Sequence, residues 1–204
     1  MPLKYVFRMV HIQNIAYISK VGIVHKDSRN ANPNYVNLGD VSVIDRRNKI
    51  RLGNGRYIGD YIPFYFGVRT PMLYVIQNGF NGVAKVSPQN IVYVVVKIQD
   101  IINKNVKCVF TDGHAIEKAS TLYDANDLSN IDTYISEVDV YAKYWNKTDD
   151  TDLKRRKEAE LLVDGDLDSS LICGYVVYND VAKNILISQG IDANKIAVRS
   201  DYYF

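Results

Sequence analysis

The densest chemistry in this chain lies in Asp149-Asp150-Thr151-Asp152-Leu153-Lys154-Arg155-Arg156-Lys157-Glu158-Ala159-Glu160-Leu161-Leu162-Val163. Acidic and hydroxyl residues open the stretch and suit a helix N-terminus. A compact cationic run, Lys154 to Lys157, follows, and then an apolar run that reads as a strand. Glu160 stands at the junction. Strand alternation puts it on one face with Leu162, and Ala159 with Leu161 on the other. The plain reading is a solvated strand end paired with a neighbouring Lys or Arg. The sharper reading is a catalytic carboxylate beside an anion-binding helix. Two histidines add candidates: His11 at a strand-to-helix corner, and His114 in the turn Asp112-Gly113-His114-Ala115. Either could simply satisfy backbone groups. Arg46-Arg47 reads equally well as a solvated pair.

Several chemistries are excluded. Three histidines without companion spacing make no metal site. Cys108 and Cys173 lie far apart, each inside an apolar run, and match neither a zinc pattern nor a disulfide framework. No G-x-S-x-G, P-loop or Cys/His motif occurs. Gly53-Asn54-Gly55-Arg56-Tyr57-Ile58-Gly59 lacks the dinucleotide-binding glycine spacing and a preceding strand, so it reads as a tight turn.

The elements that must carry these residues follow from periodicity. Tyr5 to Val10 is a strand, and a helical period runs from Ile12 to Val21, with Gly22 as its stop. Residues 25 to 37 are polar and read as a loop. Pro71 opens a short helix through Ile76, closed by Asn78-Gly79. Ile91 to Ile98 is a buried central strand. Asn103-Lys104-Asn105 is a turn, and Lys107 to Thr111 the next strand. Residues 119 to 149 form a long excursion with helical pieces around Tyr123 and Tyr141. Leu171 to Tyr178 is a strand. Val181 to Gln189 is a helix capped by Asp180 and stopped by Gly190. Ile196 to Ser200 is a final strand. The sum is an α+β fold, mainly antiparallel, with functional residues at strand ends.

At 204 residues, 47% hydrophobic and 24% charged, the chain suits one ordinary globular domain over 1–204. A net charge of +2 decides nothing about a polyanion partner. The 16 tyrosines could stack on bases, or simply reflect a β-rich fold. No apolar run approaches the roughly 18 residues of a membrane span. The N-terminus lacks the apolar region of a signal peptide, and a cytoplasmic location is expected.

Asp60-Tyr61-Ile62-Pro63-Phe64-Tyr65-Phe66-Gly67-Val68-Arg69-Thr70-Pro71-Met72-Leu73-Tyr74 closely resembles the "DYVPFYF-x-x-RSPMLY" signature of DarT, a family of DNA ADP-ribosyltransferase toxins. Three further pieces agree in the family's order. Arg8 to Ile15 is similar to its "RxxHxxNL", Thr111 to Ala115 to its "DGHA", and Arg155 to Val163 to its "RRxxAEFLV". The aromatic end Tyr202-Tyr203-Phe204 also resembles it. Ile15 for Leu, Thr70 for Ser and Leu161 for Phe are the departures, and none removes a polar group.

The resemblance implies a mono-ADP-ribosyltransferase fold: a split, mainly antiparallel β core with flanking helices, binding NAD in its cleft without a metal. It implies transfer of ADP-ribose to a base of single-stranded DNA, most commonly thymidine, with guanosine used by one branch. RNA ends or protein are the alternatives within the same fold. It implies a macrodomain antitoxin (DarG-like) as partner. Glu160 would be the catalytic glutamate and Arg47 the catalytic arginine, with Arg46 the alternative. His11, Asn14, Tyr65, Arg69 and Tyr74 would bind NAD. His114, Trp145, Lys154, Arg155 and Arg156 would meet DNA by stacking and phosphate contact.

Overall fold

The computed structural model describes residues 3–204. The chain opens with strand β1 (Tyr5–His11), whose end turns through a 3-10 segment into helix α1 (Ile15–Val21). Gly22 stops α1 at φ 100°, and a Cβ there would lie 2.1 Å from the Leu167 carbonyl oxygen. After a polar loop, α2 (Val41–Arg47) starts on Asp40, which accepts from the Ser42 amide at 2.8 Å. Then come β2 (Tyr61–Tyr65) and α3 (Pro71–Asn78), the latter capped by the Thr70 hydroxyl and closed by left-handed Gly79. β3 (Ile91–Lys97), α4 (Ile98–Asn103), β4 (Cys108–Thr111) and β5 (Leu122–Asp124) follow. A 3-10 run and α5 (Glu137–Val140) lead to α6 (Leu153–Lys157) and β6 (Glu160–Asp164). β7 (Ile172–Val177), α7 (Asp180–Ser188) and β8 (Ile196–Val198) complete the order.

The eight strands form one sheet in the order β5-β4-β6-β2-β1-β3-β7-β8. All neighbours are antiparallel except β7 and β8, which run parallel. The seam between β1 and β2 is incomplete. β1 pairs with β3 from Tyr5↔Lys97 to His11↔Ile91, but meets β2 only at Phe7↔Tyr65. Beyond that point Arg8 reaches over, its Nη1 donating to the Pro63 carbonyl at 2.8 Å. This is the split that the sequence leads one to expect.

One face of the sheet carries the main core. Val6, Val10, Phe64, Val94, Phe110, Leu161 and Val163 pack there against α1, α4, α7 and the 3-10 run. The other face is divided into two clusters. Phe7, Tyr93 and Val95 pack with Leu73, Ile76 and Tyr203 on one side; Leu162 packs with Ile58, Tyr61, Ala115 and Ile116 on the other. A polar gap lies between them, on the face to which alternation assigns Glu160.

The structure corrects four local expectations. Tyr123 is in strand β5, not a helix; its ring stacks on Phe110 of β4 at 5.1 Å and 19°. The second expected helical piece is α5, and it ends just before Tyr141. The apolar run through Ile98 hid a boundary, because Ile98 and Ile101 are the buried face of α4. Asn179, not Asp180, caps α7 by accepting from the Ala182 amide at 3.0 Å.

The loop after β2 is held very tightly against α5. A Cβ on Gly67 would fall 2.1 Å from the Val140 carbonyl oxygen and 2.6 Å from its carbon. Backbone on both sides leaves no flexible atom to give way. Gly67→Ala is expected to lower stability by about 1–3 kcal/mol, as overpacking does. Urea denaturation checks this, and an unchanged midpoint would show that the two segments separate at no cost.

Candidate active site

Glu160 is the first residue of β6, and its place in the sheet decides its surroundings. It pairs laterally with Thr111 of β4 and with Tyr65 of β2, which in turn pairs with Phe7 of β1. Directly opposed residues share a face, so this row runs across the sheet to the split. The sequence suggests a rim carboxylate; the structure buries Glu160 completely. The capped helix α2 ends at Arg47, which reaches the carboxylate with one nitrogen. Arg47 Nη1 donates to Oε1 at 3.1 Å and lies 2.8 Å from Oε2. The Ala115 amide donates to Oε1 at 3.0 Å, and His114 Nε2 stands 3.7 Å from the same oxygen. Arg46 is exposed and makes no such contact.

Two buried atoms of this cluster, Arg47 Nη2 and Glu160 Oε2, have no hydrogen-bond partner. Buried polar atoms are rarely left so. They lie beside a cleft of about 400 Å³ at the split, within the usual range of ligand pockets. Glu160 is beneath the cleft floor; Arg47, His114, Tyr65 and Glu158 line it. Leu38, Met72, Val75 and Ile76 supply apolar walls, and Arg8, Asp40, Glu117 and Lys154 polar ones. Mixed walls and unmatched polar atoms fit a nucleotide such as NAD. Among the described residues, no group of three or more His, Cys, Asp and Glu could hold a metal ion, and no helix is long and apolar enough to cross a membrane.

The protonation states follow from burial. Burial lowers the His114 pKa; Glu160 opposes this and Arg47 adds to it, so the ring is neutral at neutral pH. Burial, then the Glu160 and Glu158 carboxylates, push the Tyr65 phenol well up. Burial also lowers His11.

Other predicted residues sit further out. His11 ends β1, and its Nδ1 accepts from the Gln13 amide at 3.3 Å. Asn14 is buried and exchanges two hydrogen bonds with the Val36 backbone, 2.8 and 2.9 Å. It thereby tethers the loop whose Tyr35 to Asp40 form one cleft wall. Arg69 and Tyr74 do not line the cleft. Arg69, at φ 53°, donates to the Tyr203 carbonyl at 2.5 Å and covers the Phe204 ring. Tyr74 packs with Phe80, Trp145 and Phe204 on the far face of α3. Pro71, Met72, Val75 and Ile76 face the cleft instead. Their i, i+4 spacing was the available signal.

The cationic run is also redistributed. Arg155 pairs with Asp112 and Asp152 at 2.9 and 2.8 Å. Arg156 pairs with Asp139, Asp150 and Asp152 at 2.7, 2.7 and 3.1 Å. Lys157 is buried and donates to the Val68 and Val140 carbonyls, both at 3.1 Å. Only Lys154 is exposed.

The family described as "ssDNA thymidine ADP-ribosyltransferase, DarT" matches residues 7–204. A DNA ADP-ribosyl transferase of Escherichia coli O127:H6 is 29% identical over 98% of this chain and 93% of its own. A DNA ADP-ribosyl transferase–glycohydrolase fusion protein of Thermosipho africanus is 29% identical over 97% of this chain and 48% of its own. The solved structure of Thermus sp. 2.9 DarT with ADP-ribosylated ssDNA superimposes with a TM-score of 0.83 at 23% identity, covering 99% and 97% of the two chains. Its complex with NAD+ gives 0.79 at 22% identity, covering 100% and 99%. The fold and the sequence match together define an ADP-ribosyltransferase acting on DNA. Within that class the chain belongs to the DarT family of ssDNA thymidine ADP-ribosyltransferases.

The two partners of the buried pair differ in what their loss leaves behind. Arg47→Ala strands a charged carboxylate at zero exposure, which should cost about 3–5 kcal/mol. Glu160→Gln removes the charge but keeps an acceptor for the Ala115 amide, and should cost less. Thermal denaturation of both variants gives the order; the reverse order would show that the pair is not what stabilises this corner.

Proposed function

We propose that this chain transfers ADP-ribose from NAD to thymidine in single-stranded DNA, releasing nicotinamide, in the cytoplasm, as the toxin partner of an ADP-ribose-removing macrodomain antitoxin. The observation that carries the residue roles is the buried Glu160–Arg47 pair with an unmatched atom on each side. Cleaving the nicotinamide–ribose bond develops positive charge on the sugar. A fixed carboxylate is placed to hold a ribose hydroxyl and stabilise that charge. Arg47 lines the cleft and Glu160 lies behind it, so the ribose meets Oε2 beside the Arg47 guanidinium. Its unpaired Nη2 then turns to phosphate or to the activated base. Tyr65 and the apolar face of α3 bound the nucleotide. His11 and Asn14 support NAD binding through the turn and the tethered loop, and Arg69 and Tyr74 through the packing of α3 on the chain end.

For DNA, His114 and Lys154 are at the cleft. Trp145, half-buried on Tyr74 and Phe204, and the exposed Tyr144 beside it offer stacking faces. Arg155 and Arg156, being ion-paired, shape the DNA side by holding its loops. The antitoxin reading is supported by the fusion of transferase and glycohydrolase in the Thermosipho africanus relative.

Glu160→Gln should still bind NAD and single-stranded DNA and lose about 10²–10³ in transfer rate. Labelled NAD with DNA, RNA and protein substrates reads this; full activity of the variant, or labelling of RNA or protein alone, overturns the assignment. Lys154→Glu should weaken single-stranded DNA binding and reduce its salt slope by about 0.7. Equal loss of NAD affinity would place Lys154 on the nucleotide instead.

A further inference from the structure

Transfer to a base needs two things from the protein: a hold on the ribose and an acceptor for the proton of the attacking nitrogen. Glu160 is geometrically able to do one. Its Oε1 already accepts from Arg47 and Ala115, and its Oε2, 2.8 Å from Arg47 Nη1 but with no well-directed hydrogen bond, has room for one more partner. A second group has to take the proton.

Three carboxylates line the cleft: Asp40, Glu117 and Glu158. Asp40 is occupied, accepting from the Ser42 amide and hydroxyl as the cap of α2. Glu117 is exposed to solvent. Glu158 is 6% exposed, lines the cleft and, among the described residues, accepts no side-chain hydrogen bond from the protein. It sits at the C-terminus of α6, two residues before Glu160. Among the cleft's nitrogen bases His114 is the one that burial keeps neutral, but its Nε2 is directed at Glu160. A carboxyl held by no protein group, in the wall of a ligand cleft, is placed to meet a substrate group.

We propose that Glu158 is a second catalytic residue, the acceptor of the proton released by the attacking thymine. The proposal rests on the thymidine reading above. Thymine in DNA has a single N–H, the imide N3. As N3 bonds to the ribose C1, the C1–nicotinamide bond breaks and its electron pair neutralises the pyridinium. The N3 proton passes to the Glu158 carboxylate and then to water at the cleft mouth. The products are ADP-ribosylated thymidine, nicotinamide and one proton.

The electrostatics agree. Burial pushes the Glu158 carboxyl up to about 8. The charged groups that bear on it are Lys154 and Lys157 of α6, Glu160 of β6 and Glu117 after β4; the lysines lower its pKa and the carboxylates raise it. An acceptor titrating near the working pH is matched to a weakly acidic imide far better than an ordinary carboxylate.

The test is single-turnover transfer to a thymidine oligonucleotide across the pH range, with NAD and DNA affinities measured in parallel. In the wild type the rate should rise with pH through a midpoint at about 8 and level off above it. Glu158→Gln should slow transfer by about 10²–10⁴, abolish that rise, and change both affinities by less than about threefold. Lys154→Gln should move the rise to higher pH. Glu158→Asp, which keeps the acid but withdraws it, should retain the rise at an intermediate rate. A Gln variant with the wild-type profile overturns the proposal; so does an Asp variant no better than Gln, or NAD affinity falling in step with rate. Wild-type protein that binds NAD yet modifies no thymidine overturns the underlying reading, and the proposal with it.

Discussion

The site depends on one buried ion pair. Moving a carboxylate and a guanidinium out of water costs several kcal/mol each, and their attraction offsets this only with good geometry and further hydrogen bonds. Here the sheet supplies the carboxylate at the start of β6, α2 supplies the guanidinium at its last residue, and the turn after β4 supplies an amide. Three elements distant in sequence must therefore converge within about 3 Å. The arrangement is left short of full satisfaction on both partners. That shortfall is a cost to the fold and an opening for a polar ligand, which is how preorganised sites are built.

The cations of α6 show how a short helix distributes one kind of side chain among several tasks. Successive helical residues turn by about 100°, so four adjacent cations cannot share a surface. Lys154 meets the cleft. Arg155 braces the turn that carries His114 and Ala115: its carbonyl accepts from the His114 amide at 3.0 Å, and a Cβ on Gly113 would strike it. Arg156 gathers Asp139, Asp150 and Asp152, tying the long excursion to α6. Lys157 turns inward to two carbonyls beneath Trp145. The run positions the catalytic corner more than it presents charge to a polyanion.

Periodicity made most strands legible, because burial on one face writes a repeat into the sequence, and Pro71 and Asn78-Gly79 marked the ends of α3. The face shared by Glu160 and Leu162 was readable for the same reason. The burial of Glu160 was not: it arises from Arg47, 113 residues away, and no local pattern reports a partner at that distance. The family signature pointed to the segment that walls the cleft, and Tyr65 of it lines the cleft. Two of its members, Arg69 and Tyr74, turn to the chain end, while Tyr65, Pro71 and Met72 line the cleft. Glu158 was legible only as the neighbouring carboxylate to weigh against Glu160; its burial in the cleft wall is not written in the charged run around it.

Glu158 and its neighbour Lys157 also set a limit on the fold. In the folded chain Glu158 holds its proton up to about pH 8, whereas an unfolded glutamate has released it in the ordinary carboxylate range. The folded state then binds the extra proton, so stability falls as pH rises through that window. Burial moves Lys157 the opposite way, down to about 8. Above that point the unfolded chain holds the extra proton, so stability rises again toward the ordinary lysine range. The two contributions are jointly least favourable near pH 8. The residues that tune the cleft thus draw most heavily on the fold's stability at the pH where the cleft wall changes charge, and the apolar packing on both sides of the polar gap has to carry that cost.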